Sequence, residues 1–550
     1  MDRIWQKHYG TIPAEVDATA QGTIVDLLEN AVAEFGDKAA FHALYTNLRY
    51  SEIDRLSRDF AAYLQTKLSL AKGARVALMM PNLLSFPVVS FGIIRAGLVQ
   101  VNVNPLYSPR ELAHQLNDAG CDTIVIFSMA TATLEAIIDQ TGIKTIISVG
   151  LDDLNGLQMA NPPVVESLRA RAVPLLRCLL EGKQMPFNKP VVTQDDLIFL
   201  QYTGGTTGLS KGAMLTHGNL ASNVAMFVEW TKDHVVRGEE VVVTALPLYH
   251  IFALMVNFLS YFKIGATNVL IPNPRDMEAF VKEWSKWRVT AFTGVNTLFV
   301  GLMHTPGFAS QDFSKLRVCM GGGAPVQNAV SARWKSITGQ HITEGYGLSE
   351  TSPILTANPL SLTEAIGSIG IPFPSTDISI RDDDGKEVAM GEAGELCAKG
   401  PQVMRGYWQN DTANAECFTP DGYFKTGDIA TVDAEGWPHG AQVSVGEVLA
   451  ADQPIQLNGE ALVSGERRRI ETAAELTVGS GVRLQISPGG GQALPQALEQ
   501  QRQCCQQLEQ LQQQLKLTSS DQAETIERQR TALERELNNL RQAAKAIPWS

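Results

Sequence analysis

An α/β fold is predicted for the first four-fifths of this 550-residue chain, and three observations predict it. Short apolar runs alternate with amphipathic stretches from about residue 20 to 370. The runs are nearly continuous rather than alternating, as expected of parallel strands buried on both faces by helices. From about residue 375 the spacing shortens into strands and tight turns, which reads as a small β region. Length alone suggests three or four domains at roughly 150 residues each.

In chain order, "RVALMM" (75–80), "TIVIFS" (123–128), "DDLIFLQ" (195–201), "EVVVTALPL" (240–248), "TNVLIP" (267–272), "VTAFTGV" (289–295) and "LRVCMGG" (316–322) read as buried strands. "SEIDRLSRDFAAYLQTKL" (51–68), the stretch that begins near Thr216 and "DMEAFVKEWSKW" (276–287) read as helices. "DISIRDDDGKEV" and "GELCAKG" supply the later strands and turns. Sheets of this kind bind ligands outside the carboxyl ends of their strands.

The text changes after Trp437. No Phe, Tyr or Trp occurs from 438 to 548, although the chain holds 20 Phe, 11 Tyr and 8 Trp. Residues 438–490 carry patches such as "AQVSVGEVLA" and "VRLQISP" that suit a few short strands. Residues 491–550 are rich in Gln, Glu and Leu. Leu494, Ala497, Cys504, Leu508, Leu511 and Leu515 form one apolar seam, Ile526, Leu533, Leu537 and Leu540 a second, and "LTSSD" between them holds turn and N-cap residues. A coiled-coil-like antiparallel helical hairpin is expected there. The three expected domains are therefore 1–437, 438–490 and 491–550.

Composition narrows the function. The formal charge of −13 argues against a nucleic-acid binder, which needs clustered Lys and Arg. Seven scattered cysteines with no CxxC pair point to a reducing, cytoplasmic setting. "MDRIWQKHYGTIPAEV" has no apolar h-region and does not read as a secretory signal. The most apolar stretch, 76–103, is broken by Pro81, Pro87 and Arg95, so no membrane span is expected. Peripheral contact with the inner membrane face and homo-oligomerisation are left open.

The most informative stretch is "YTGGTTGLSKGAMLTHGNL" (202–220). Lys211 follows Ser210 and precedes Gly212, so the Gly-Lys-Ser/Thr ending of a P-loop is missing and a P-loop ATPase is disfavoured. The chemistry still suits phosphate. Gly204, Gly205 and Gly208 let backbone N–H groups approach an anion closely, Thr203, Thr206 and Thr207 add hydroxyls, and Lys211 adds charge. The bland alternative is a surface linker.

The order Tyr-Thr-Gly-Gly-Thr-Thr-Gly-x-x-Lys-Gly resembles the signature of the adenylate-forming acyl-CoA synthetase superfamily. "PLYHIFAL" (247–254), "GGGAP" (321–325), "EGYGLSET" (344–351), "GELCAKGPQVMRGYW" (394–408) and "GYFKTGDIA" (422–430) resemble its further motifs in its order. With residues 77–116 the wording is closest to bacterial long-chain fatty acid–CoA ligases, over about residues 1–437. The resemblance implies a large adenylation domain of two doubly wound, mostly parallel sheets plus a small β region. It also implies a two-step reaction. A fatty acid carboxylate attacks the α-phosphate of ATP to give acyl-AMP and pyrophosphate, and the thiol of coenzyme A then displaces AMP.

By the same resemblance Thr203, Gly204, Gly205, Thr206, Thr207, Gly208 and Lys211 cradle the β- and γ-phosphates. Glu350, with Thr207, holds Mg2+, and Ser349 donates to the α-phosphate. Tyr346 stacks on adenine, Gly322, Gly323 and Ala324 line the base, and Gly347 belongs to the nucleotide motif. Asp428 accepts the ribose hydroxyls, a task for an acceptor-only carboxylate. His250 sits where the acyl carboxylate enters. Thr207, Lys211, His250 and Glu350 are the implied catalytic group. Taken singly, each has a structural alternative: His250 and Tyr346 as core residues, Glu350 as a turn cap, Asp428 as an Asx-turn residue, and 321–323 as a tight turn before a helix starting at Pro325.

The family continues from the ribose aspartate into a hinge with an Asp-Arg-x-Lys-Asp run and a small mobile domain whose Gly-Lys pair supplies the adenylating lysine. Here the match stops at "DAEGWPHG"; the lysines beyond it are Lys516 and Lys545, and "GERRRIET" offers Arg467, Arg468 and Arg469 instead. Impaired adenylation is therefore expected. A nucleotide-binding scaffold that associates through its hairpin is the rival reading.

Overall fold

Residues 3–155, 164–203 and 210–440 are described in the computed structural model, together with the backbone of six short strands between 447 and 486. The chain divides into two compact units, Met1–His439 and Gly440–Ser550. In the first, the apolar runs become strands because β-branched and aromatic residues fit a pleated surface covered on both sides. A seven-stranded sheet has the spatial order Ala172–Pro174, Thr145–Val149, Thr123–Phe127, Arg75–Met79, Val99–Asn102, Leu197–Thr203, Lys211–Thr216. All its neighbouring pairs are parallel except the last, an antiparallel pair whose strands flank the glycine-rich stretch in sequence.

A nine-stranded sheet runs Ile371–Pro372, Ile354–Ala357, Thr343–Gly347, Val318–Gly321, Ala291–Gly294, Val241–Thr244, Thr267–Leu270, Ala39–Ala43, Thr46–Arg49. Its six central strands are parallel, with antiparallel strands at both edges. Asp377–Arg381, Gly394–Lys399, Phe424–Val432 and Pro438–Gly440 make a small four-stranded sheet, antiparallel where its pairing is resolved. The first unit thus has the α/β architecture expected, in the form of two mixed, mostly parallel sheets and a small β sheet.

Helix Ser85–Arg95 is apolar nearly all round, and every residue of it is buried, as such a pattern requires. Phe91 lies 4.6 Å from Phe258, which also meets Phe41 at 5.8 Å and Phe86 at 6.0 Å. The helices between the two large sheets therefore share one core. Arg95, the one buried Lys or Arg among the described residues, is paired: it binds Asp54 Oδ1 at 3.0 Å and donates to Ser57 Oγ at 2.9 Å.

Three details differ from the sequence reading. "KGAMLT" is a strand, Lys211–Thr216, rather than the tail of a loop. Its six residues are too few to show a period of two, and its pairing partner, Leu197–Thr203, lies on the other side of the glycine-rich stretch. "EVVVTALPL" leaves the sheet after Thr244, because the Asn82 amide donates to Thr244 O at 3.1 Å and Leu246 O at 2.9 Å. The helix expected at Pro325 starts at Asn328, after Val326 N–H has been taken by Glu344 Oε2.

In the second unit, Glu447–Leu449 pairs antiparallel with Arg467–Arg469. A separate sheet has the order Glu460–Leu462, Ile455–Leu457, Ala474–Val478, Val482–Ile486, also antiparallel. The expected hairpin over 491–550 lies outside the described residues. No helix among the described residues is long and apolar enough to cross a membrane. Cys121, Cys178, Cys319, Cys397 and Cys417 carry free thiols, the first four buried.

His217 opens helix His217–Thr231 and is buried, with Nδ1 accepting Ile24 N–H at 3.2 Å. Burial lowers its pKa from 6.5 to about 4. The unfolded state therefore binds the extra proton between those values, and stability falls as pH drops through that window. Acid titration of unfolding midpoints should show a loss on the order of 3 kcal/mol from this group, and His217→Gln should flatten that part of the profile.

Candidate active site

The hairpin Leu197–Thr203/Lys211–Thr216 has two edges. One is held by Val99–Asn102, and residues 405–408 take the other: Met214 N–H donates to Gly406 O at 2.9 Å, Arg405 N–H to Met214 O at 3.0 Å, and Trp408 N–H to Gly212 O at 2.8 Å. This pairing carries Tyr407 alongside Lys211, whose Nζ lies 4.9 Å from the ring centroid, a cation–π contact. Tyr407 Oη donates to Glu350 Oε1 at 2.7 Å, and Met404 N–H donates to Glu350 O at 2.7 Å.

Glu350 stands in the short 3-10 turn Ser349–Thr351, just beyond strand Thr343–Gly347. Its residue is 7% exposed. Burial pushes its carboxyl pKa up, while the Tyr407 hydroxyl and the Lys211 charge pull it back. Ser349 is half-buried in the same turn. Gly347 is needed for space: a Cβ there would lie 1.9 Å from Pro353 O.

Tyr346, from the same strand, donates through Oη to Asp428 Oδ2 at 2.7 Å. Burial first, and the Asp428 charge second, hold its hydroxyl pKa well above the ordinary value. Asp428 belongs to strand Phe424–Val432 of the small sheet and is exposed. Three sheets therefore each contribute: Lys211 from the first, Tyr346 and Glu350 from the second, Asp428 from the third.

Gly322 and Gly323 follow strand Val318–Gly321, and Gly323 has φ 74°, a left-handed conformation that glycine adopts without a Cβ penalty. A Cβ on Gly322 would lie 3.1 Å from Gly345 O and 3.3 Å from the Phe252 ring. The turn thus adjoins both the Tyr346 strand and the segment that carries His250. Gly323 and Ala324 are exposed.

His250 is exposed and is no core residue; its Nδ1 accepts Phe252 N–H at 3.3 Å, and crowding by the chain lowers its pKa through desolvation. Its segment is held from the seven-stranded sheet. Asn82 Oδ1 accepts Leu248 N–H at 2.8 Å, and Gln201 Nε2 donates to Tyr249 O at 3.1 Å. Gln201 in turn accepts from Asn102 Nδ2 at 2.9 Å.

Of the residues singled out from sequence, Lys211, Glu350, Tyr346 and Asp428 come together through direct partners, and Gly322, Gly323 and Ala324 lie on the neighbouring turn. Thr203 ends the incoming strand. Gly204, Gly205, Thr206, Thr207 and Gly208 lie outside the described residues. Sequence reasoning did not single out Tyr407, Asn82 or Gln201. Tyr407 stood within the quoted "RGYW", but only the pairing of 405–408 with the hairpin edge gives it a role.

A sheet edge whose lysine adjoins a glycine-rich sequence, with carboxylates carried on or just beyond strands of two further sheets, suits an enzyme that handles a phosphorylated ligand. The AMP-binding enzyme family matches residues 28–408, and the chain belongs to that family. It is 46% identical over 448 residues to a long-chain-fatty-acid–CoA ligase of Yersinia pestis, covering 80% of each chain. It is 34% identical over 446 residues to a long-chain-fatty-acid–CoA ligase of Bacillus subtilis, covering 79% of each. Its structure is similar to that of ATP-bound MatB from Rhodopseudomonas palustris, with TM-score 0.66 and 26% identity over 80% of this chain and 81% of that one. The fold is also that of the anthranilate CoA ligase AuaEII in complex with anthranoyl-AMP, with TM-score 0.69 and 21% identity over 82% of each chain.

Because burial raises the Glu350 pKa from 4.5, the stability this group contributes is full at low pH and is lost as pH rises through the folded value. Glu350→Gln should therefore raise the melting temperature at about pH 7.5 and leave it unchanged near pH 4, as scanning fluorimetry across pH would record. Gly347→Ala should lower stability by ~1–3 kcal/mol through overpacking, read from urea midpoints.

Proposed function

We propose that this chain activates a long-chain fatty acid with ATP, forming acyl-AMP and pyrophosphate and then passing the acyl group to coenzyme A. The observation that carries the reading is the convergence of Lys211, Glu350, Tyr346 and Asp428 from three sheets. Membership of the AMP-binding family and identity to long-chain-fatty-acid–CoA ligases over four-fifths of the chain support the substrates.

Both partners of the first step are anionic, so the site must offset charge and hold the reacting atoms in line. Lys211 supplies the fixed positive charge beside the glycine-rich stretch, and Thr203 with the glycines and hydroxyls of 204–208 would cradle the β- and γ-phosphates. Ser349 would donate to the α-phosphate. Asp428, already oriented by the Tyr346 hydroxyl, would accept the ribose hydroxyls, and the Tyr346 ring would cover the base against Gly322, Gly323 and Ala324. His250, neutral at physiological pH because its pKa is lowered, would face the fatty acid carboxylate without a competing charge.

The residues fit a divalent cation. Glu350 is a buried carboxyl whose ionisation is disfavoured until a positive charge arrives, and no group of three or more His, Cys, Asp or Glu among the described residues could hold a metal unaided. That donor set suits Mg2+, which binds through one or two carboxylates plus substrate phosphates. Glu350 would hold it, with Thr207, and the ion would offset charge on the phosphate oxygens.

The adenylation step is slow in this proposal, since the residues after Trp437 hold no Gly-Lys pair and their lysines are Lys516 and Lys545. Palmitate-dependent exchange of labelled pyrophosphate into ATP tests the whole reading. Measurable but slow exchange is expected; rates like those of the full ligases would remove the impairment, and absence of ATP binding would remove the function. Asp428→Ala should raise the Kd for ATP roughly 10- to 100-fold, the loss of hydrogen bonds to a charged group, measured by calorimetric titration.

A further inference from the structure

Helix Pro109–Ala119 is built as a rigid element. Ser108 caps its start in a reciprocal capping box with Glu111, Pro109 stands in the first turn, and Gly120 closes it in the left-handed conformation at φ 63°. Leu112, Gln115, Leu116 and Ala119 are buried, and Gln115 Nε2 donates to Asn102 O at 2.7 Å, tying the helix to the centre of the seven-stranded sheet. His114 and Asp118 are four residues apart and so share a different face.

Both reach the ends of the glycine-rich stretch. Asp118 Oδ2 accepts the Tyr202 hydroxyl at 2.5 Å, just before that stretch begins. His114 Nε2 donates to Ser210 O at 2.9 Å, just after it ends; the carbonyl can only accept, so the ring carries its proton on Nε2. Asp118 O also accepts Trp408 Nε1–H at 3.2 Å, and Arg75 stacks over the Trp408 indole at 5.4 Å. One helix therefore touches both ends of the proposed phosphate cradle and the residue next to Tyr407, the partner of Glu350. The Tyr202 ring is packed under the hairpin, with the site of a Gly212 Cβ 3.0 Å from it, so its hydroxyl is directed to a single acceptor.

We propose that Asp118 and His114 are positioning residues for ATP: they act through Tyr202 and Ser210 to set the separation of the two ends of the glycine-rich stretch, and through Trp408 to keep Tyr407 and Glu350 in register with it. The proposal rests on the nucleotide reading of the site. Neither residue touches the reacting atoms, so neither is catalytic. A charge-assisted bond from a tyrosine hydroxyl to a carboxylate is among the stronger side-chain pairs, and phosphoryl chemistry is sensitive to placement on the ångström scale.

The test uses the full chain, with ATP and palmitate as probes. Asp118→Ala, Tyr202→Phe and His114→Leu should each raise the Kd for ATP and the KM for ATP in pyrophosphate exchange about tenfold, leaving the KM for palmitate unchanged. The double variant Asp118→Ala/Tyr202→Phe should be no worse than either single one, because both remove the same bond. Asp118→Asn and His114→Gln, which keep an acceptor and a donor, should restore ATP affinity. If the variants merely lower the melting temperature while ATP and palmitate constants stay as in the parent, the helix is structural and the inference is overturned. If ATP and palmitate constants worsen together, a general loss of packing is responsible, and the inference is again overturned. If the parent protein itself binds no ATP, the functional reading fails first and takes this inference with it.

Discussion

A strand at the edge of a sheet exposes unpaired N–H and C=O groups, and they must be satisfied by something. In this protein the free edge of Lys211–Thr216 is paired with residues 405–408, through hydrogen bonds of 2.8 to 3.0 Å. Most of the site depends on that pairing. It brings Tyr407 beside Lys211, and Tyr407 in turn holds the buried carboxyl of Glu350 on the neighbouring sheet. Without the edge pairing, the lysine, the tyrosine and the glutamate would belong to three unconnected pieces of chain.

The carboxyl of Glu350 is the least comfortable group in this arrangement. Burial disfavours its charge, and its compensation is one hydroxyl and a lysine nearby. Such a group costs stability in the free protein and gains most when a cation or a positively charged assembly arrives. Tyr346 and Asp428 form the complementary end: there the carboxylate is exposed and the phenol is its donor. A buried, reluctant carboxyl at one end and an exposed one at the other suit partners of different charge.

Support for these groups comes from amides rather than charges. Asn82 fastens the chain between Thr244 and Leu248, and Gln201 holds Tyr249 O, so the position of His250 is set by the seven-stranded sheet although its strand belongs to the nine-stranded one. Aromatic packing of Phe86 and Phe91 on Phe258 joins the same two sheets below. Rigid elements hold a site more accurately than loops do.

The sequence by itself determined the fold class of the first unit, because continuous apolar runs between amphipathic stretches are best satisfied by covered, mostly parallel sheets, and its ordered motifs named Lys211, Tyr346, Glu350 and Asp428 within a longer list of candidates. It could not show that "KGAMLT" is a strand, since six residues carry no usable period, nor single out Tyr407, Asn82, Gln201, His114 or Asp118. Each of those acts through a partner between 84 and 166 residues away, or 48 and 57 in the cases of Gln201 and Tyr407. A hydrogen bond across such a separation leaves no local pattern in the chain. Only the tertiary structure, by closing those distances, decided which tyrosine meets the buried glutamate and which helix meets Tyr202 and Ser210.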